Sequence, residues 1–243
     1  MNNYYSQQGE DVYINNNYIN KKVNKGIYLE LGACDGVTLS NTKFFQEKYD
    51  FSGILIEPVK KFFEKLLKNR PNNLLFNYAI DYKKGTTNFI GDSFTAGLSN
   101  TMESSFKDFH HSQNSNYLVE SLPIRDIIKK SKIEYIDLMS IDVEGGELVV
   151  LETMDWTIPI YIIIIELDNR NEKKDNQCRD LLKEKGFTFD RILGSNDIWI
   201  NKNYFRREEL FDSSIPKFKN LQDAGIHIYL EKHLIDEVEN SLR

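Results

Sequence analysis

Two apolar runs end in carboxylates: Ile136-Asp-Leu-Met-Ser-Ile-Asp142-Val-Glu144-Gly-Gly-Glu147 and Ile165-Glu166-Leu-Asp168-Asn169. If the runs are neighbouring parallel strands, Asp142 and Glu166 converge at one edge of the sheet. Converging carboxylates have three uses. They can hold a hard divalent cation that orients a hydroxyl and lowers its pKa. One of them can be a general base that takes a proton from a reacting hydroxyl. Or both bond to backbone amides and pair with Lys or Arg, as carboxylates commonly do outside active sites. His110, beside His111 in a long polar stretch, offers another base, because an unperturbed imidazole titrates near ~6.5.

A second chemistry-bearing stretch is Glu30-Leu-Gly32-Ala33-Cys34-Asp-Gly36, which follows an apolar run and precedes a helical pattern. Glycines there let the chain turn sharply and let a ligand approach the backbone. A dinucleotide fingerprint needs a further glycine where a pyrophosphate presses on the main chain. Cys34 stands in that place, so the turn fits S-adenosylmethionine, an adenosine without phosphates, better than NAD. Glu57 ends the next apolar run 21 residues beyond Gly36, near the spacing of about 20 at which a carboxylate accepts ribose hydroxyls. Ser40, Asn41 and Thr42 open the following helix, where they bind a methionine carboxylate or cap the helix. Asn77, Ala79 and Ile80 end the third run and border the adenine, although packing alone also accounts for the two apolar ones.

These residues need a parallel sheet with its carboxyl ends on one side, and the remaining pattern supplies one. Short apolar runs at 26–32, 52–57, 74–80, 135–142 and 160–167 alternate with amphipathic stretches at 40–49, 60–68, 124–130, 146–154 and 176–185. That alternation predicts a three-layer α/β/α sandwich with strand order 3-2-1-4-5. The unbroken run Ile160–Leu167 predicts a strand buried on both faces. Thr188–Leu193 and Asp197–Asn201 complete a mostly parallel seven-stranded sheet with an antiparallel edge. Between Asp81 and Pro123 the pattern weakens, and a stretch of that length inside a domain is expected to help shape a substrate pocket.

The 243 residues suit one such domain over 1–210, with 1–25 as a helical or lid segment and 211–243 as a helical extension. The extension's helix, 230–242, is the expected docking surface for any homo-oligomer, and His227 and His233 in it have no partner motif. A net charge of −6 argues against a nucleic-acid partner. Two cysteines and no signal-peptide or spanning run predict a cytoplasmic protein.

Taken together, the motifs resemble the FkbM family of S-adenosylmethionine-dependent O-methyltransferases. The matching segments are Tyr5-Ser-Gln-Gln-Gly-Glu-Asp11, Glu30 to Gly36 with Ser40-Asn41-Thr42, Ile56-Glu57-Pro58, Asn77-Tyr-Ala-Ile80, Ile141-Asp-Val-Glu-Gly145 and Ile165-Glu166. The resemblance implies a Rossmann-like class I methyltransferase fold and methyl transfer to a hydroxyl, often on a sugar or glycosylated product. It also implies a cofactor site that includes Gln8, Ala33, Pro58 and Asp142, with the Ser6 to Asp11 segment closing over it. Ser140 departs from the pattern, since many members carry lysine there. Alternatives outside the resemblance are an NAD-dependent sugar oxidoreductase, an RNA or cap-ribose methyltransferase, and a non-catalytic binding subunit.

Overall fold

A computed structural model describes residues 3–19, 25–110 and 116–204, apart from the His110 side chain, and the backbone of a short strand at 228–229. The expected extension helix at 230–242, His111, His227 and His233 lie outside the described residues.

The main sheet contains β1 (Ile27–Leu31), β2 (Ser52–Ile56), β3 (Leu74–Phe76), β8 (Ile136–Ile141), β9 (Ile160–Glu166), β10 (Thr188–Leu193), β11 (Asn196–Ile200) and β12 (Ile228–Tyr229). Their order is β10-β11-β9-β8-β1-β2-β3-β12. All neighbours pair in parallel except around β11, which runs antiparallel to both β9 and β10. The seven strands up to β3 realise the expected sheet, and its antiparallel strand lies second from the edge.

Both faces are covered, because the strands are apolar on both sides. Leu29, Leu31, Ile54, Ile56, Ile163 and Ile165 pack on one face with α5 (Ile124–Ser131), α6 (Glu147–Thr153) and α7 (Glu172–Glu184). Tyr28, Leu55, Leu138, Ile162 and Ile164 pack on the other with α2 (Lys43–Tyr49), α3 (Lys60–Asn69) and the N-terminal α1 (Glu10–Ile14). Residues Ile162 to Ile165 in β9 are each fully buried, worth about 1.5–3 kcal/mol apiece in transfer free energy. Period-two alternation sends Glu30 to the α2 side between Leu29 and Leu31, so a carboxylate enters the same layer as Phe44 and Phe45.

Two sequence expectations are corrected. The third run is not one strand: the Asn77 amide donates to the carbonyls of Glu57 (2.8 Å) and Pro58 (3.1 Å). Beyond that bend β4 (Ala79–Ile80) joins a second sheet, ordered β4-β7-β5-β6 with β5 (Gly85–Ile90), β6 (Gly97–Leu98) and β7 (Asn116–Leu122). Hence much of the stretch from 81 to 123 is folded rather than structureless. It also holds α4 (Ser104–His110), and Gly97, in β6, lies against the backbone carbonyl of Glu144.

Candidate active site

A cavity of about 290 Å³ opens at the carboxyl ends of β1, β2, β8 and β9. Its floor is the turn after β1. Gly32, Cys34 and Gly36 all have positive φ (73°, 47° and 77°), a region that suits glycine and strains cysteine. At Gly32 a Cβ would lie 1.8 Å from the Asp142 carbonyl oxygen, and at Gly36 one would meet Leu66 and Arg70. The amides of Gly32 and Ala33 both donate to the Ile56 carbonyl at 3.1 Å, and that of Asp142 to Leu31 at 3.3 Å. The ends of β1, β2 and β8 are therefore fixed to one another.

Glu57 is buried, and its carboxylate accepts the Cys34 N–H (2.8 Å) and the Val59 N–H (2.7 Å). Burial pushes its pKa up to about 7, against the pull of those two amides. Each oxygen retains a lone pair for a ligand hydroxyl.

Glu30 is buried too, and burial raises its pKa despite the nearby Arg70 charge and three hydrogen bonds. It accepts from the Ser40 hydroxyl (3.0 Å), the Thr42 hydroxyl (2.6 Å) and the Asn41 N–H (3.0 Å). Ser40 in turn accepts the amides of Thr42 and Lys43, the two residues at which α2 begins. Behind this network lies a fully buried cation that the sequence reading missed. Arg70 donates to the Gly36 carbonyl (2.7 Å), Tyr28 hydroxyl (2.6 Å), Thr42 hydroxyl (3.1 Å) and the Gln46 side chain. It ties the glycine turn to the segment opening α2 and offsets the charge of Glu30.

The acidic edge assembles as expected. Oxygens of Asp142, Glu144 and Glu166 lie within 4.8 Å of one another. Asp142 faces the open cavity but protein crowds its other sides; that crowding and the Glu166 charge drive its pKa well up. Glu144 rises to about 8 and Glu166 also rises, in each case first through burial and then through neighbouring carboxylates. Arg170 pairs with Asp168 (2.7 Å) and Glu144 (3.3 Å) while stacking on Phe106 of α4. Lys174 pairs with Glu147 and Asp175 one layer below. Three carboxylates at this separation can share protons or hold a divalent cation.

The N-terminal segment closes one side. Gln7 and Glu10 line the cavity, while Gln8 packs on Gly194 in the β10–β11 turn. Glu10 accepts from Asn196 at 2.7 Å, and Glu166 accepts from Ser195 at 3.0 Å, so that turn links the segment to the acidic edge. Of the other expected residues, Gly32, Ala33, Ser40, Asn41, Pro58, Ala79 and Ile80 line the cavity, and Gly36 supports it from behind. His110 ends α4, its side chain outside the described residues. Glu10 belongs to the Ser6 to Asp11 segment expected to close over the site, whereas Arg70, Arg170 and Asn196 were not foreseen, because each reaches the site through contacts distant in sequence.

The strand order, with one antiparallel strand second from the edge, the glycine turn after β1 and an acidic end on β2 define a class I methyltransferase fold. The chain belongs to the family of the methyltransferase FkbM domain, whose model matches residues 30–189, well over half of its length. Its methyl donor is accordingly S-adenosylmethionine. Similar solved structures include a TehB-like SAM-dependent methyltransferase from Corynebacterium glutamicum, at 8% identity and TM-score 0.39, covering 82% of this chain and 89% of that one. A fibrillarin/Nop5p complex matches at 14% identity and TM-score 0.41, over 80% and 79% of the two chains. No curated protein matches the sequence. No helix among the described residues is long and apolar enough to cross a membrane.

Proposed function

We propose that the protein is an O-methyltransferase that methylates a hydroxyl of a sugar or glycan in the cytoplasm. The observation that carries the reading is the Asp142–Glu144–Glu166 cluster, which shares one cavity with the glycine turn and Glu57. The cavity suits the methyl donor: a glycine cradle that a Cβ would fill, a buried carboxylate at the end of β2, and a buried amide oxygen without a partner at Asn41. Bound there, S-adenosylmethionine supplies an electrophilic methyl group on a sulfonium. The Asp142–Glu166 pair would take the proton of the acceptor hydroxyl as that oxygen receives the methyl group from the sulfonium. Around that pair Gln7, Glu10, Asn196 and Arg170 present amide, carboxylate and guanidinium groups to the cavity, the donors and acceptors that several hydroxyls need.

The test is methyl transfer from isotopically labelled donor to free sugars, nucleotide sugars and oligosaccharides. The expected product is an alkali-stable methyl ether formed one-for-one with S-adenosylhomocysteine. Label found only in RNA or protein would refute a carbohydrate acceptor. The same carboxylates also have the spacing of a divalent-cation site, and chelation separates the two uses: turnover that survives EDTA assigns them to proton transfer.

Glu57 gives this reading a pH dependence. Ribose hydroxyls donate to the ionised carboxylate, and with a pKa of about 7 that form is complete only above neutrality. Affinity for S-adenosylhomocysteine should therefore rise with pH and level off above it. At pH 6 roughly a tenth of Glu57 is ionised, so binding there is expected to be about tenfold weaker than at pH 8. In Glu57→Gln the step should vanish and binding be weak throughout. An unchanged step in that variant would assign the titration to another group.

A further inference from the structure

We propose that Arg170 sets the acceptor specificity: one edge of its guanidinium grips two neighbouring oxygens of a sugar, and the charges around it select an uncharged sugar over a uronate or a sugar phosphate. The assignment rests on the carbohydrate reading above and narrows it to a substrate class. Arg170 lines the cavity, and its side chain is 43% exposed. Its ion pairs with Asp168 (2.7 Å) and Glu144 (3.3 Å) both run through Nη1. Nε and Nη2 donate no hydrogen bond to any described residue. Those two atoms form the side-on fork of a guanidinium, two parallel N–H donors that fit a pair of oxygens. Stacking holds the fork in one plane, because the guanidinium lies over the buried Phe106 ring at 3.9 Å. Phe106 is itself placed by the acidic turn: Gly145 lies against Thr101 and Met102, and Met102 packs with Phe106 and Ile90.

Glu144 ties that fork to the reacting end. Its carboxylate meets Arg170 and also has an oxygen within 4.8 Å of those of Asp142 and Glu166, so a sugar held by Arg170 has a further hydroxyl in reach of the Asp142–Glu166 pair. A guanidinium fork also fits a carboxylate or a phosphate, and charge decides against them. The single positive charge of Arg170 already faces two carboxylates. It is the one cation among the residues lining the cavity, against Glu10, Glu30, Glu57, Asp142, Glu144 and Glu166. Lys174 gives no relief, since it is paired with Glu147 and Asp175. An anionic substituent at Nε and Nη2 would therefore sit beside Glu144 and Asp168 with no spare positive charge, and like charges set together are how a site rejects a wrong partner. Neutral hydroxyl or carbonyl oxygens accept the same two N–H groups without that repulsion.

The experiment measures methyl transfer from labelled donor to the methyl glycosides of glucose, galactose and mannose, each beside its uronate, the methyl ester of that uronate and its 6-phosphate. In every series that wild type methylates, kcat/KM for the neutral glycoside and the ester should exceed that for the uronate and the phosphate by about tenfold or more, the effect of one like charge close by in a partly buried site. The uronate and its ester differ only in that charge, so this comparison needs no variant. Arg170→Gln should raise KM for the neutral glycoside about tenfold to a hundredfold, the value of hydrogen bonds from a charged group, while affinity for S-adenosylhomocysteine stays within about twofold. Arg170→Lys keeps the charge without the planar fork and should not restore KM. A uronate or phosphate used as well as its neutral counterpart overturns the charge selection. A fall in kcat and in S-adenosylhomocysteine affinity with acceptor KM unchanged in Arg170→Gln would mean that the arginine only braces Glu144, and overturns the fork. Methylation of no carbohydrate by protein that binds S-adenosylhomocysteine refutes the sugar reading itself, a distinct result.

Discussion

Gly32→Ala is expected to abolish cofactor binding and to destabilise the fold by about 2–5 kcal/mol, the sum of a left-handed backbone penalty and an overpacked contact. Two independent facts set the size of the effect. The backbone at Gly32 has φ 73°, and the Cβ that alanine adds would sit 1.8 Å from the carbonyl oxygen of Asp142. That atom is main chain, so no rotamer change relieves the clash; the end of β8 has to move away from the end of β1. The movement would break the Asp142 N–H bond to Leu31 and displace the acidic edge together with the cofactor turn. Denaturant melts give the stability change, and calorimetry with S-adenosylhomocysteine gives the binding loss. Gly9→Ala is the control, because Gly9 has a similar φ of 83° but open space around its Cβ position. Near-wild-type binding by Gly32→Ala would show that the two strand ends are not rigidly joined.

Gly32 also shows what could be read from the sequence alone. Its place after an apolar run, two residues from an acidic side chain, marks a turn at the end of a strand, and the same logic found Glu57, Asp142 and Glu166. Each lies where a largely apolar run stops, and both core-facing sides of those runs are local information. The partners of these residues were not local. Arg70 closes α3 in a stretch, Lys-Asn-Arg70-Pro, that reads as an ordinary polar helix end, yet it is fully buried beneath the cofactor turn. Nothing in its own neighbourhood distinguishes it from a solvated arginine; the signal is in Gly36, Tyr28 and Thr42, all far away in sequence. The second sheet escaped for the same reason. β5 carries Gly85, Thr86, Thr87 and Asn88 before its two buried residues, and it is stabilised by pairing with β7 across the α4 segment. A strand that is half polar and paired at long range has little period-two signal. Glu10 and Asn196 meet from opposite ends of the domain, and no spacing rule links them.

Asp142→Asn is expected to lower turnover by about 10²- to 10⁴-fold, the usual contribution of a positioned general base, while affinity for S-adenosylhomocysteine changes little. Carboxylate oxygens of Asp142, Glu144 and Glu166 lie within 4.8 Å of one another, and burial together with the charges of Glu166, Glu144 and Glu147 favours the protonated form of Asp142. A raised carboxyl pKa means that the ionised form, the one that can accept the acceptor's proton, becomes available only as the pH rises. The ascending limb of turnover should therefore lie well above the usual carboxylate range near ~4. Glu166→Gln removes the charge that most directly opposes ionisation of Asp142, so its ascending limb should shift to lower pH. The linkage to stability has the opposite sign. Groups whose folded-state pKa is raised favour the fold when protonated and oppose it when ionised, so wild type should lose stability as the pH rises towards 8. Asp142→Asn, which removes one of the crowded charges, should melt no lower than wild type at pH 8 and lose less stability between pH 6 and 8. That combination, a large loss of turnover in a protein at least as stable, is what a functional rather than structural carboxylate produces. Wild-type turnover in Asp142→Asn would exclude it as the base, and a parallel fall in S-adenosylhomocysteine affinity would place its main contact on the cofactor instead.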